Sequence, residues 1–494
     1  MNKFLQYALL FIIVAFGFQN CTDYDDAISV PPELKVQSFI WKGLNLYYLW
    51  KSDVPDLADS KFKYQPQLND YLYTKGTAEE LFQDLLYKPV SKFPSPGEAV
   101  DRFSILVKDY SYLENLFKGV ATSNGMEYGL KFKTGSETDI FGYVQYILPN
   151  SDAAGKNIKR GDIFYAVNGI PLTTDNYRSL LQNQNYTLNL ADYNNGNITP
   201  NGISVELNKS QLSENPILVN KIMEIGNHKV AYLSYNSFLS NYDNELNAAF
   251  GKFKAEGATD LVLDLRYNSG GAVQTAVYLA SMITGQFDGQ LLGKEQWNPK
   301  VQKYFEDNAP KNLNNYFTNS IKNGAAINSL NLSKVYILTS KGTASASELI
   351  INCLKPYINV TQIGDVTTGK NAGSITLYDS PDFSSKNRNP NHRYAMQPLV
   401  FKLVNKAGFG DYQNGLEPTI ILKEDIANLG QLGDVNEPLL STALGIISSN
   451  GRMIRHTSGK AFREFGNSKS IRLFGTDMYK STPEDLEELI KQFQ

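Results

Sequence analysis

A serine at the start of an apolar helix is the first residue whose position could support chemistry. Ser345 closely follows a predicted strand over residues 334–339 and opens a helix rich in apolar side chains. A hydroxyl group there meets a helix N-terminus, whose dipole and free N–H groups favour negative charge developing nearby. The spacing Ser345-x-x-Glu348 is also that of a capping box, which stabilises a helix start without any catalysis. This segment alone therefore favours a cap over a nucleophile.

Two adjacent glycines form a second candidate feature. Gly270 and Gly271 end a turn that follows the apolar strand 260–266. Glycines at such a turn let backbone N–H groups point into a site with no Cβ in the way, as an oxyanion pocket requires. Many strand-to-helix turns contain Gly-Gly for geometry alone, so the pair does not establish catalysis by itself.

A serine nucleophile also needs a base, and the three histidines are poorly placed to provide one. His228 lies at the start of a strand, His392 in a polar loop and His456 in the basic C-terminal part, and none has a companion motif. A lysine can act as the base instead, provided that burial removes the charge of its ammonium group. Lys370, in the turn after the short strand 360–363, is the candidate, and a solvated loop lysine is the alternative.

The elements that would position these residues follow from the spacing of apolar side chains. Residues 31–112 have helical periodicity, and residues 113–210 have the shorter period of strands. Residues 220–445 alternate strands and helices, which predicts a largely parallel sheet covered by helices, with chemistry at the carboxyl ends of its strands. Residues 446–494 are basic and are predicted to form a solvated extension packed on the domain that precedes it. The predicted fold class is α/β, in a multi-domain chain that is α+β overall.

Residues 1–20 are predicted to be a signal peptide. Lys3 precedes an apolar run over residues 7–18, which is too short for a comfortable membrane span but suits a signal-peptide core. Cys21 follows at once and begins a polar linker over residues 21–30. The arrangement resembles a bacterial lipoprotein signal, in which this cysteine is lipidated, and an ordinary signal with an incidental cysteine is the alternative. The resemblance implies export to the bacterial cell envelope and a lipid anchor in a membrane, expected to be the outer membrane.

Composition excludes several classes of protein. Of the 494 residues, 42% are hydrophobic and 20% are charged, which indicates a globular chain and excludes a mostly disordered one. The 47 basic and 50 acidic side chains give a formal charge of −3, so nothing global favours binding to nucleic acid. The two cysteines, Cys21 and Cys353, have no spacing typical of a disulfide framework or a zinc site, so no metal is predicted.

Two segments of the β-rich region resemble parts of a PDZ domain. Gly129, Leu130, Lys131 and Phe132 look like its carboxylate-binding loop, and residues 153–169 look like its helix with the turn and strand that follow. A PDZ groove holds a peptide by adding it as a strand to a sheet edge. The resemblance implies a peptide-binding site, and a small β-rich spacer domain that shares these turns is the alternative.

The order of motifs along the chain resembles the carboxyl-terminal processing peptidases, the tail-specific family of serine peptidases with a Ser-Lys dyad. The main motifs are LDLRYNSGG at 263–271, TASASE at 343–348 and a Gly-Lys turn 25 residues after Ser345. Supporting segments are DRFS at 101–104, GLEP at 415–418 and GDVNEPLL at 433–440. The resemblance implies a helical N-terminal domain, a PDZ-like domain and a catalytic domain with a crotonase/Clp-protease-like core.

The resemblance also implies a role for each matching position. It makes Ser345 the nucleophile and Lys370 the general base. It makes the backbone N–H groups of Gly270 (or Gly271) and of Ala346 the donors to the oxyanion.

Two further positions are implied to support the site. Glu348 would belong to the helix start and its support, and could orient the dyad. Family members often carry Gln or Glu four residues after the lysine to orient it, whereas this chain has Ser374 there. A serine can still form a hydrogen bond to a lysine, but its reach is shorter, so the orienting role of Ser374 is an open question.

The sequence thus predicts a serine endopeptidase of the carboxyl-terminal processing type that needs no metal or organic cofactor. Its expected substrates are envelope proteins with unstructured or C-terminal segments, which the PDZ domain would capture. One alternative is a catalytically weak or inactive peptide-binding lipoprotein that uses the PDZ groove, and another is a hydrolase of a different ester or amide. The oligomeric state is left open.

Overall fold

The computed structural model of the protein describes residues 30–448 except 96 and 195, and then residues 462–472, 475, 478–483, 486 and 489–490. The predicted signal peptide, Cys21 and all but the last residue of the predicted linker lie outside the described residues. Within the described residues, no helix has both the length and the apolar character needed to span a membrane.

The N-terminal part consists of three helices and a short strand that leads out of them. The helices are α1 (Lys35–Tyr47), α2 (Gln65–Tyr73) and α3 (Ala78–Asp84), and the strand is β1 (Ile105–Val107). Thr77 caps α3 in a capping box with Glu80. The aromatic residues of α1 are buried in the same core as the catalytic domain, so the helices pack on that domain and have no separate core.

The second domain is β-rich and begins with a helix that crosses the predicted boundary at residue 112. Its helices are α4 (Tyr110–Phe117) and α5 (Tyr177–Gln182). Its strands are β2 (Val120–Ser123), β3 (Met126–Phe132), β4 (Ile140–Ile147), β5 (Ile163–Val167), β6 (Ile170–Pro171), β7 (Asn185–Asn194), β8 (Asn197–Asn208) and β9 (Ser210–Ser213). Strands β3, β4, β5, β7 and β8 are neighbours in one antiparallel sheet.

One local prediction for this domain is wrong. The helix expected to start near residue 153 is a single 3₁₀ turn, Ala153–Gly155. Gly155 disfavours a helix, and the polar run after it lacks an apolar repeat, so the turn does not propagate. Residues 129–132, which resemble a carboxylate-binding loop and also lie in a run with the period of a strand, belong to strand β3, where they alternate between the two faces of the sheet.

The third domain, predicted to be catalytic, is built around two six-stranded sheets with helices between and outside them, and two of its short strands form a small third sheet with β1. Its helices are α6 (Asp243–Ala255), α7 (Val273–Thr284), α8 (Pro299–Asn308), α9 (Ala346–Leu354) and α10 (Pro438–Ser448). Its strands are β10 (Ile217–Ile225), β11 (His228–Tyr235), β12 (Asp260–Asp264), β13 (Gly271–Ala272), β14 (Leu291–Trp297), β15 (Asn314–Tyr316), β16 (Lys334–Thr339), β17 (Asn359–Gly364), β18 (Ala372–Ile375), β19 (Leu377–Tyr378), β20 (Ala395–Gln397), β21 (Leu399–Asn405) and β22 (Ile420–Ile421).

The first sheet of this domain has the order β10-β11-β12-β16-β17-β22. Only the β10–β11 pair is antiparallel, and the four other pairs are parallel. Helices cover both faces, as the nearly continuous apolar strands require. The predicted fold class, α/β with a helical N-terminal part and a mainly parallel catalytic sheet, is confirmed.

The C-terminal segment departs from the solvated extension that its basic composition predicts. Its described elements are β23 (Glu464–Asn467), the short helix α11 (Ser468–Ile471) and β24 (Met478–Lys480). Strand β23 pairs with β3 of the second domain. Strand β24 lies between β13 and β18 in the second catalytic sheet, whose order is β13-β24-β18-β21-β14-β15. The segment is held by buried apolar side chains, with Met478 and Leu486 fully buried.

Candidate active site

Ser345 lies where strand β16 gives way to helix α9, at the N-terminal cap of that helix. Its backbone has φ 65° and ψ −116°, and its side chain is fully buried. Among the described residues, its hydroxyl oxygen has no hydrogen-bond partner. A buried hydroxyl without a partner is unfavourable for stability. The hydroxyl therefore makes no hydrogen bond to cap the helix, whereas Glu348 accepts the backbone N–H of Ser345 as in a capping box.

The positive φ of Ser345 stores strain that a glycine would release. A residue with a Cβ at this φ costs about 1–2 kcal/mol relative to ordinary backbone. We expect Ser345→Gly to raise the free energy of unfolding by about 1 kcal/mol relative to Ser345→Ala, which keeps the Cβ. Urea denaturation of the two variants measures the difference. As a control, the substitution Ser347→Gly lies inside the helix and should lower the stability of the protein. Equal stabilities of the Ser345→Gly and Ser345→Ala variants would contradict strain at Ser345.

Lys370 follows strand β17 in a turn that the N-terminal domain braces. Its side chain is 1% exposed, and its Nζ lies 4.8 Å from the ring centroid of Phe103. The Arg102 guanidinium donates hydrogen bonds to the carbonyl oxygens of Gly369 at 2.6 Å and of Gln413 at 3.1 Å. The DRFS motif therefore holds the backbone just before the lysine and covers its side-chain nitrogen.

Glu348 joins the serine turn to the lysine turn. Its Oε2 accepts hydrogen bonds from the backbone N–H of Ser345 at 2.7 Å and of Lys370 at 2.8 Å. Its Oε1 accepts from the N–H of Gly369 at 2.6 Å and from the Thr367 hydroxyl at 2.5 Å. Burial raises the pKa of this carboxyl group, and these hydrogen bonds oppose that rise. One side chain thus fixes the backbone of both predicted dyad residues.

The backbone N–H groups of Gly270, Gly271 and Ala346, which are the predicted oxyanion donors, have different surroundings in this structure. The N–H of Gly270 donates to Asn268 Oδ1 at 2.9 Å, so in this structure it is directed at a side chain, contrary to its predicted role. Gly271 lies in strand β13 with φ 139°, and a Cβ there would lie 2.3 Å from the Phe238 carbonyl oxygen, so only glycine fits. Ala346 is the first residue of α9, where the backbone N–H has no acceptor within the helix. Gly271 is also paired with Met478 of strand β24.

Asn268 connects the glycine turn to the serine turn. Its carbonyl oxygen accepts hydrogen bonds from the Ala344 N–H at 3.1 Å and from the Ser347 hydroxyl at 3.0 Å. Its side-chain amide donates to the Tyr235 carbonyl at 2.8 Å. Two loops far apart in the sequence are therefore tied together next to Ser345.

Ser374, the predicted orienting residue, is buried in strand β18. Its hydroxyl donates to Gln397 Oε1 at 2.6 Å and lies 3.3 Å from the Met478 carbonyl oxygen. Gln397 in turn donates to the Thr376 hydroxyl at 2.5 Å. These hydrogen bonds place Ser374 against the neighbouring strand β20, so the described contacts of the predicted orienting position are structural.

A cavity of about 540 Å³ lies beside the two turns, between the domains. Its lining includes Arg102 and Phe103 of the N-terminal part, Ser269 of the glycine turn, and Phe465 and Arg472 of the C-terminal segment. Ser345 and Lys370 are buried and do not line the cavity, and the Phe103 ring of the lining covers Lys370 Nζ.

A buried charge network fastens the second domain to the turn that leads to Gly270. Arg160 of the second domain donates to Glu424 at 2.8 Å and to the Tyr267 hydroxyl at 2.5 Å. Arg266 donates to Glu437 at 2.7 Å and to Glu424 at 3.1 Å. Burial raises the pKa of Glu424, but Arg160 and Arg266 outweigh it and hold that pKa at about 2.

This network predicts a loss of stability in acid. Because the pKa of Glu424 falls from 4.5 when unfolded to about 2 when folded, its contribution is present above pH 4.5 and is lost as the pH falls through 2. The shift corresponds to about 3 kcal/mol. The Glu424→Gln variant should therefore have a lower free energy of unfolding than wild type at pH 5. Urea denaturation should show this difference becoming smaller as the pH is lowered towards 2. The exposed Glu417→Gln is the control, and a difference independent of pH would contradict the assignment.

Sequence reasoning gave no role to several residues that build the site. Arg102 and Phe103 were noted only as part of a motif, since nothing local indicates contact with a lysine 267 residues away. Asn268 and Gln397 gave no signal beyond their types. The order of the motifs along the chain is the signal that could have indicated a role for Arg102 and Phe103.

Two family models match the chain. The model described as peptidase family S41 matches residues 229–419, which contain the glycine, serine and lysine turns. The model described as the peptidase S41 N-terminal domain matches residues 35–105, which contain Arg102 and Phe103. The two matches together span more than half of the chain.

Individual proteins agree with these matches. The carboxyl-terminal-processing protease of Picosynechococcus sp. is 24% identical over 311 residues, which cover 61% of this chain and 69% of the relative. The carboxy-terminal processing protease CtpB of Bacillus subtilis is 23% identical over 219 residues, 44% of this chain and 38% of the relative. A solved Bacteroides fragilis structure assigned to the S41 proteases has a TM-score of 0.62 at 26% identity, covering 84% of this chain and 98% of that one.

Proposed function

Because the chain belongs to peptidase family S41 and is a serine peptidase, we propose that Ser345 is its nucleophile and Lys370 its general base. The observation that carries this assignment is the Glu348 carboxylate, whose Oε2 accepts the backbone N–H groups of both residues. A carboxylate that holds two turns in one geometry preorganises the groups between them.

The reaction follows from these positions. The neutral amine of Lys370 takes the proton of the Ser345 hydroxyl as its Oγ attacks a peptide carbonyl carbon. The N–H groups of Ala346 and Gly271 receive the negative charge on the carbonyl oxygen. The lysine ammonium gives the proton to the leaving amine as the C–N bond breaks, which leaves an acyl-enzyme. Water then attacks the acyl carbon while the amine of Lys370 accepts its proton, the bond from that carbon to Ser345 Oγ breaks, and the lysine returns the proton to Oγ. No cofactor enters these steps.

The second domain is proposed to capture substrate on the edge of strand β3. An extended peptide would add there as a strand, with its side chains between β3 and helix α5. Proteins of the bacterial cell envelope with unstructured or C-terminal segments are the proposed substrates. Anchoring through lipidated Cys21, with the outer membrane as the expected membrane, is part of the same proposal.

A peptide-binding lipoprotein without turnover is the second candidate. The observation that favours it is Ser374, whose hydroxyl forms a hydrogen bond with Gln397 at a position where family members often carry Gln or Glu. Turnover of unfolded casein by wild type, beside variants of Ser345 and Lys370, separates the two candidates. Labelling of Ser345 by a fluorophosphonate would favour the peptidase even where turnover is slow.

A further inference from the structure

The C-terminal segment lies on the edge of the second domain where a captured peptide is proposed to bind. Strand β23 pairs antiparallel with β3: Glu464 lies opposite Lys131, Gly466 opposite Leu130 and Asn467 opposite Gly129, with a bulge at Phe465. These three positions of β3 belong to the quartet that resembles a PDZ peptide site. The protein's own chain therefore forms the strand that an external peptide would form.

Side chains of this segment fill the groove as a bound peptide would. The Phe465 ring packs edge-on against Phe132 of β3, with ring centroids 5.2 Å apart, and against Tyr177 of α5, at 5.0 Å. Glu464 forms an ion pair with Lys131, whose side chain is 6% exposed. An aromatic anchor beside a half-buried ion pair is the usual composition of a specific peptide contact.

Charged groups beyond β23 hold the segment in the groove. Glu127 of β3 accepts hydrogen bonds from Ser468 and Arg472. The Arg463 guanidinium lies 3.7 Å from the centroid of the Phe132 ring. The contact therefore extends along the whole length of β3.

The same segment also enters the catalytic domain. Strand β24 lies between β13, which contains Gly271, and β18, which begins two residues after Lys370. Lys469 lies between β23 and β24 in the chain. Its side chain donates to the carbonyl oxygens of Asn236 and Tyr267, at 2.8 Å and 3.0 Å, next to the glycine turn. In this structure β24 pairs with the facing backbone edges of both β13 and β18, which closes those edges to any other strand.

From these contacts we propose that the C-terminal segment, through its described residues 462–472 and 478–480, is an internal ligand that blocks both the groove and the cleft until an external peptide displaces β23. The complete burial of Ser345 agrees with a blocked state. The chemistry of β23 also indicates its competitor, an extended peptide with an aromatic side chain preceded by an acidic one. The inhibitory part of this inference rests on the proposed function, whereas occupation of the groove does not.

The first test measures binding to the full-length protein. The probe is a fluorescein-labelled peptide with the sequence of residues 462–472, followed by fluorescence anisotropy. We expect Glu464→Lys/Phe465→Ala, which removes the anchor and reverses the ion pair, to bind the probe at least ten-fold more tightly than wild type. The same variant should cleave casein several-fold faster. The control Ile203→Ala/Glu206→Lys makes matched changes on exposed positions of β8 in the same domain and should behave as wild type.

A second test locks the segment instead of releasing it. Lys131→Cys/Glu464→Cys places two thiols at an existing contact, and the described Cys353 is fully buried. Oxidation should abolish binding of the probe and lower casein turnover at least ten-fold, and a reductant should restore both. This variant tests the inference even if the Glu464→Lys/Phe465→Ala variant, which is designed to release the segment, folds poorly.

The outcomes separate the two proposals. Equal probe binding by wild type and the release variant, or full binding by the oxidised cysteine pair, would overturn occupation of the groove. Unchanged turnover in both variants of an active enzyme would overturn the block. If no form cleaves casein or reacts with a fluorophosphonate, yet probe binding changes as expected, the groove remains assigned and the proposed peptidase site fails.

Discussion

Ser345→Ala and Lys370→Ala should each lower turnover of unfolded casein by at least about 10³-fold, because each removes one half of a unit that transfers a proton and forms a bond. Lys370→Arg should be equally inactive, since a guanidinium keeps its proton and cannot act as a base. Initial rates of casein cleavage, measured with a fluorescent substrate, give the three values. Fluorophosphonate labelling should disappear in Ser345→Ala.

The fold of these variants is expected to be intact, which makes the comparison interpretable. Alanine keeps the Cβ of Ser345, so the strained backbone does not change, and thermal unfolding should shift little. Lys341→Ala is the matched control, because Lys341 lines the same cavity and is exposed. Its turnover should remain within about two-fold of wild type. Substantial cleavage by Lys370→Arg would contradict a lysine base and favour a purely electrostatic role for that residue.

The family and the fold class could be predicted from the sequence because they depend on ordered motifs and on periodicity. Alternation of strands and helices fixes a parallel sheet, and the carboxyl ends of β12, β16 and β17 then converge, which brings the glycine, serine and lysine turns together. The comparisons confirm the peptidase family, and the structure confirms the fold class. Both results follow from features repeated over many residues.

Positions that depend on side-chain orientation or on long-range contacts could not be predicted in the same way. The N–H of Gly270 donates to the side chain of the nearby Asn268, whose orientation the sequence does not reveal. The Ser374 hydroxyl donates to Gln397, which is distant in the chain. The basic composition of the C-terminal segment indicated a solvated extension. Its charges instead pair with carboxylates such as Glu127, and a charge pattern alone does not reveal its partner.

Glu348→Gln is the second substitution with a large expected effect, since an amide replaces a carboxylate that four donors approach. One oxygen becomes an NH₂ group that faces donors, so at least one hydrogen bond is lost and a buried donor is left unpaired. We expect the free energy of unfolding to fall by about 2–4 kcal/mol. We expect kcat to fall about 10²-fold with a small change in KM, because the two turns lose their common anchor while the peptide-binding edge is untouched.

The chain offers a matched control for Glu348 in the capping box of helix α3. Glu80 accepts the backbone N–H of Thr77 at 2.7 Å at an exposed helix start, as Glu348 accepts that of Ser345, but it contacts no second turn of the site. Glu80→Gln should therefore cost at most about 1 kcal/mol and leave kcat unchanged. If Glu348→Gln lowered stability by the expected amount but kept the kcat of the enzyme, Glu348 would be only a helix cap. A selective fall in kcat in Glu348→Gln would identify Glu348 as the positioning residue of the proposed dyad. Glu348→Asp should then recover part of the kcat, because the shorter side chain keeps both carboxylate acceptors and loses only reach.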